Sequence, residues 1–150
     1  WGAAQMMQGG LTEGIAFIKR AIVRREQEGY RAAADWYRLI LCYVYIDVLE
    51  GREKAPLQVI LRNLFCLVKL KLTGLREIDH LMDVVRANPL FDPEGFHHAK
   101  INMVLGLRWM LARRADRARP YLNEARRLAL PFGPTPISKR IDAAIARLGG

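Results

Sequence analysis

GLRWMLARRADRARPYLNEA, residues 106–125, is the stretch from which the fold can be read. Within it Gly106, Ala118, Leu122 and Ala125 follow one another at gaps of 12, 4 and 3 residues. GAAQMMQGGLTEGIAFIKRA, residues 2–21, carries the same gaps at Gly2, Gly14, Ile18 and Ala21. The two sets lie 104 residues apart, close to three periods of about 34–35 residues, and a period in that range is the sign of a helical repeat array. Small residues let two helices approach closely. The last three positions of each set share one face of a helix.

Period and punctuation extend this reading along the chain. Residues 1–8 read as the end of a first helix, closed by Gly9-Gly10. Thr12 is placed to cap a second, running to about Glu28 with Ile15, Ile18, Ala21 and Ile22 as its stripe. A third helix, Arg31 to Glu50, carries Ala33, Trp36, Tyr37, Ile40, Leu41, Val44, Tyr45 and Val48. That is too apolar for one stripe, so burial on two sides is expected. Pro56 fits the first turn of the next, whose apolar face is Leu57, Ile60, Leu61, Leu64, Phe65, Val68 and Leu72. Thr73-Gly74 is expected to break or bend the chain before a helix over 74–87. Asp92, with Pro93 behind it, is expected to cap a helix reaching Arg113. Another follows to about Leu130, and Ile137, Ile141, Ala144, Ile145 and Leu148 stripe a short terminal helix. No segment alternates in the manner of a strand. Three helical segments between two hairpins do not pair off, so either 57–72 and 74–87 form one bent helix or one of them lies on the array as an insertion. Pro120 is tolerable only if its helix starts late.

Residues 99–132 resemble a tetratricopeptide repeat, with Leu105, Gly106 and Trp109 at the positions of its first helix and Ala118, Leu122 and Ala125 at those of its second. The match is weaker over 1–29 and partial over 31–50, where Trp36, Leu39 and Tyr43 fit and Ile40 replaces the usual small residue. It fails between 52 and 92. The runs ADWYRLIL, RNLFCLVKL, FDPEGFHHAKINMVLGL and ARPYLNEARRLA are also similar to the repeat region that follows the cyclase and ATPase modules in some bacterial class III adenylate/guanylate cyclases. The resemblance implies an all-α, tetratricopeptide-repeat-like superhelix of about seven or eight helices. It also implies a partner groove lined by the first helices of the hairpins, here Tyr37, Leu41 and Tyr45 in one and Lys100, Met103, Leu107 and Met110 in another. The same residues read equally as plain core, covered by helix 57–72.

Composition bounds the function. A length of 150 residues argues for a single domain over 1–150, and the opening at Trp1 inside a helical pattern predicts a piece of a longer protein. Hydrophobic residues make up 51% of the chain, ample for a core. No signal peptide opens it. The longest uncharged apolar run, Leu39 to Ile46, is far below the ~20 residues of a membrane span. Cys42 and Cys66 sit in helical apolar patterns and read as reduced core thiols of a cytoplasmic protein.

The net charge is +9, with 18 Arg against 6 Lys. Seven arginines crowd 108–127, and Arg108, Arg113, Arg114 and Arg117 form a candidate basic patch at a hairpin turn. A polyanion partner is one reading; a solvated face is the other, and it is preferred because no interleaved aromatics accompany the charge. His97-His98 point about 100° apart on a helix and do not make a metal pair. Asp79 and Asp83, at i and i+4, read as a solvated face. No phosphate loop, catalytic pair, metal or cofactor site is evident. The sequence thus predicts a non-catalytic protein–protein interaction domain of a bacterial signalling protein, with another module, a partner segment or a second copy as partner. A basic nucleic-acid-binding helical domain is the alternative.

Overall fold

A computed structural model describes residues 10–51 and 57–149. The expected helix over 1–8, with Gly2, and Pro56 fall outside them. The described chain is all-α, with seven α-helices: α1 (Leu11–Gln27), α2 (Arg31–Glu50), α3 (Leu57–Arg62), α4 (Leu64–Arg86), α5 (Phe96–Leu111), α6 (Ala115–Ala129) and α7 (Pro136–Gly149). A single 3-10 turn, Leu130–Phe132, follows α6. The helices form two compact units that divide between Val84 and Val85, near the end of α4.

In the first unit α1 and α2 form a hairpin. Leu11, Ile15, Ile18 and Ile22 recur at helical spacing and are all buried. In α2 the buried set runs Ala34, Asp35, Arg38, Leu39, Leu41, Cys42, Val44, Tyr45 and Ile46, which is burial on two sides. The hairpin turns through a Schellman closure: the Gly29 N–H donates to Glu26 O at 3.0 Å and the Tyr30 N–H to Arg25 O at 2.8 Å. Gly29 supplies the left-handed φ of 80° that this turn needs.

Several expected boundaries shift, each for a physical reason. Gly74 does not break its helix; α4 continues through it. A Cβ at Gly74 would meet Leu49 Cδ1 at 3.1 Å, so the glycine marks a close approach between α4 and α2. The interruption falls at Asn63 instead, whose amide nitrogen donates to the Val59 carbonyl at 2.9 Å. Its Oδ1 accepts from the Leu11 N–H at 2.8 Å, and the side chain is buried. Asn63 therefore supplies a cap to α1 from 52 residues away, and Thr12, one residue inside α1, does not. Asp92 likewise caps no helix: its carboxylate accepts from the Glu94 N–H in a turn, and α5 starts at Phe96 with Gly95 as N-cap.

In the second unit α5 and α6 pair as the repeat spacing predicts. A Cβ at Gly106 would stand 2.5 Å from Leu122 Cγ and 3.4 Å from the Ala118 carbonyl oxygen. Ala118, Leu122 and Ala125 are fully buried. The turn repeats the closure of the first hairpin, with Arg113 N–H to Met110 O at 2.9 Å and Arg114 N–H to Trp109 O at 3.0 Å. Here Arg113 takes the left-handed position at φ 56°. Pro120 lies well inside α6, which starts at Ala115, not late. Pro120 has no N–H to give the Asp116 carbonyl four residues back; both residues are exposed, where a missing helix bond costs least. Thr135 and Ser138 cap α7 reciprocally, each side-chain oxygen accepting from the other residue's backbone N–H at 2.7 and 3.0 Å.

Candidate interaction surface

The segment 57–72 is apolar nearly all the way round, and a helix of that kind has two faces to satisfy. In the first unit one side turns inward, with Leu70 and Asn63 buried. The other faces solvent. Phe65 is 85% exposed, Leu72 80%, Leu57 71% and Leu61 60%, with Leu64, Val68 and Ile60 also exposed. On one reading of the sequence helix 57–72 covers the groove with its apolar face; the structure turns these seven side chains outward. Cys66, Leu67 and Leu70 make a second apolar side that competes for the interior, and the sequence alone does not say which side wins.

Beside this ridge runs a cleft between α1 and α4, floored by α2. Its larger lobe, about 550 Å³, is lined by Ile22, Val23, Leu41, Leu81 and Val84, with Lys19, Glu26, Arg38, Arg76, Glu77 and His80 around them. A smaller lobe of about 230 Å³ is lined by Thr12, Ile15, Ala16, Tyr45, Phe65, Cys66, Lys69 and Leu70. The two lobes share Lys19 and Glu77, whose ion pair at 3.2 Å crosses the cleft. Glu77 also accepts from the Tyr45 hydroxyl at 2.8 Å and the Thr73 hydroxyl at 3.2 Å. Burial raises the Glu77 carboxyl pKa, but the hydrogen bonds from Tyr45 and Lys19 outweigh it and hold the group below the usual carboxylate range. Tyr45 is pushed up, first by burial and then by its bond to that carboxylate.

Arg38 and Glu26 at the wall of the larger lobe belong to a charge network that reaches into the core. Arg38 donates to Asp35 at 2.6 Å and to Glu26. Asp35 is fully buried, and its ion pair with Arg38 offsets part of the cost of burying the charge.

The sequence-derived groove residues separate between the units. Leu41 and Tyr45 floor the cleft just described, both buried, and Tyr37 on the same helix is half-buried. Met103 and Leu107, in the second unit, are fully buried in its core. Met110 is half-buried, and Lys100 lies over the Phe96 ring at 4.8 Å, its pKa lowered by burial. The basic patch is partly spent within the chain. The Arg108 and Arg117 guanidinium groups lie 4.0 and 4.7 Å from the Trp109 ring centre. Arg114 pairs with Asp116 at 2.9 Å, and Arg113 closes the turn. Trp109 thus engages its own neighbours, a role that sequence spacing did not show.

His97 stacks on Phe91 at 4.6 Å, and burial, then Lys100 and His98, lower its pKa. Cys42 is buried and its thiol pushed up by burial and the Asp79 carboxylate; Cys66, expected in the core, is half-buried at the cleft wall. Among the described residues no group of three or more His, Cys, Asp or Glu converges as a metal ion requires, and no helix is long and apolar enough to cross a membrane. No family model, curated protein or solved structure matches the chain.

Proposed function

We propose that this chain is a non-catalytic protein–protein interaction domain that docks a partner along the outward face of α3 and α4 and the cleft beside it. One observation carries this reading: seven large apolar side chains stand exposed in sequence from Leu57 to Leu72. A contiguous apolar surface of this kind is the mark of a binding surface. The mechanism is geometric. The α1–α2 hairpin holds α4 through Asn63, the Glu77 cluster and the Gly74 contact, and α4 presents the ridge. Burying apolar area there contributes about 25 cal/mol per Å². The resemblance to repeat regions beside cyclase and ATPase modules supports a partner within a bacterial signalling protein, on another module or another chain.

Photo-crosslinking in the source cell tests it. A photoreactive residue at Phe65 or Leu72 should trap one defined protein segment, within the same gene product or outside it. The same group at exposed Arg20 should not. Absence of any defined crosslink from both ridge positions would refute the reading.

A further inference from the structure

From Ala55 to Arg76 the sequence holds no Asp or Glu, while Arg62, Lys69, Lys71 and Arg76 are all cationic. These residues are exposed and flank the apolar ridge of α3 and α4. Two acids of the adjoining cleft are already engaged: Glu77 by Lys19, Tyr45 and Thr73, and Glu26 by Arg38. Arg62 has only a loose pair with exposed Glu13 at 3.8 Å. The ridge is therefore apolar along its crest and positive along its flanks.

We propose that the occupant of this face is an acidic amphipathic helix, lying along α4 with its apolar stripe on Phe65, Val68 and Leu72 and its carboxylates against Lys69, Lys71 and Arg76. The inference rests on the interaction reading above and goes beyond it by naming the partner's chemistry. Charge decides between the possible occupants. A second copy pairing through the same face would bring cation against cation, which is destabilising where like charges meet at a contact. An anionic lipid surface matches the charge but not the shape. Phe65 and Lys69 stand at the rim of the smaller cleft lobe, and a flat surface does not enter a cleft. A helix laid beside α4 follows ridge and cleft together, as in helix-in-groove recognition.

The test is a selection from a displayed library of amphipathic helices. The apolar stripe is fixed as Leu, and each flanking position is drawn from Glu, Lys and Gln. At physiological salt, Glu should be enriched over Lys at the flanks by at least roughly tenfold, the sum of three partly screened ion pairs. The triple variant Lys69→Glu, Lys71→Glu, Arg76→Glu should reverse that preference. A control with equal charge change on exposed positions elsewhere, Arg20→Glu, Arg86→Glu, Lys139→Glu, should keep it. Circular dichroism confirms that each variant is folded. Binders without charge bias, or a bias that the ridge variant leaves unmoved, would overturn the acidic-helix inference and leave the interaction reading standing. Failure to enrich any helix would overturn the inference. Failure to enrich any helix together with silent crosslinking would remove both readings. Self-association by light scattering that Phe65→Ser with Leu72→Ser abolishes would overturn the inference in favour of a second copy. Sedimentation with phosphatidylcholine–phosphatidylglycerol vesicles, lost in the same variant and unaccompanied by helix binders, would overturn it in favour of lipid.

Discussion

Gly106→Ala is the sharpest test of the α5–α6 contact. On an open helix the change is stabilising by about 1 kcal/mol, since alanine is the better helix former. Here the added methyl would stand 2.5 Å from Leu122 Cγ and 2.7 Å from Leu122 Cδ2. Leu122 is fully buried and Cγ is the branch point of its side chain, so relief requires the whole isobutyl group or the helix to move. Overpacking of this kind costs about 1–3 kcal/mol. The two terms leave a net loss of about 0–2 kcal/mol. Leu122→Ala alone should cost about 2–5 kcal/mol through the cavity it opens. In that background Gly106→Ala meets no clash and should turn stabilising, by about 1 kcal/mol from propensity and more from filled space. The sign reversal is the signature of contact, and a double-mutant cycle reads it free of the absolute values. Of the three tryptophans, only Trp109 lies in the second unit. Replacing Trp1 and Trp36 with Phe makes Trp109 the reporter, and urea titration by its fluorescence gives the four stabilities. A stabilising Gly106→Ala in the parent, equal to its effect in the Leu122→Ala background, would refute the close approach.

Asn63→Ala removes the acceptor that caps α1 and should cost about 1–3 kcal/mol in chemical denaturation, while Asn63→Asp, which keeps the oxygen, should cost less. Arg38→Met removes the Arg38 ion pair of the buried Asp35 carboxylate and should destabilise by up to about 3–5 kcal/mol; adding Asp35→Leu should recover most of that loss, and no recovery would refute the pairing. His97 has a lowered pKa in the folded state, so its contribution to stability is fully present above its unfolded pKa and is lost as pH falls through the folded value; its proton NMR titration should have a midpoint below 6.5, and His97→Phe should flatten the loss of stability between neutral and mildly acid pH. Binding of duplex or single-stranded nucleic acid should be weak, indifferent to sequence and steeply salt-dependent, since Trp109 is stacked on its own arginines; submicromolar, sequence-selective binding in a fluorescence titration would contradict this.

The helical class and the α5–α6 contact were legible in the one-dimensional pattern, because both depend on residues close in sequence. Apolar spacing near 3.6 sets which residues a helix can bury together. The 12-4-3 spacing of Gly106, Ala118, Leu122 and Ala125 places small residues where two helices joined by a short turn must meet. Two-sided burial of α2 was legible for the same reason. The interaction surface was not. A helix apolar on both sides leaves open which side wins the interior, and that choice rests on partners distant in sequence: Leu11 for Asn63, Leu49 for Gly74, Tyr45 and Lys19 for Glu77. Gly74 reads as a break because glycine is a poor helix former. Packing overrides that propensity, since the Leu49 side chain needs the space a Cβ would fill. Local spacing assigned the elements and their faces; long-range contacts chose which apolar face of α3 and α4 is left to water, and with it where a partner can dock.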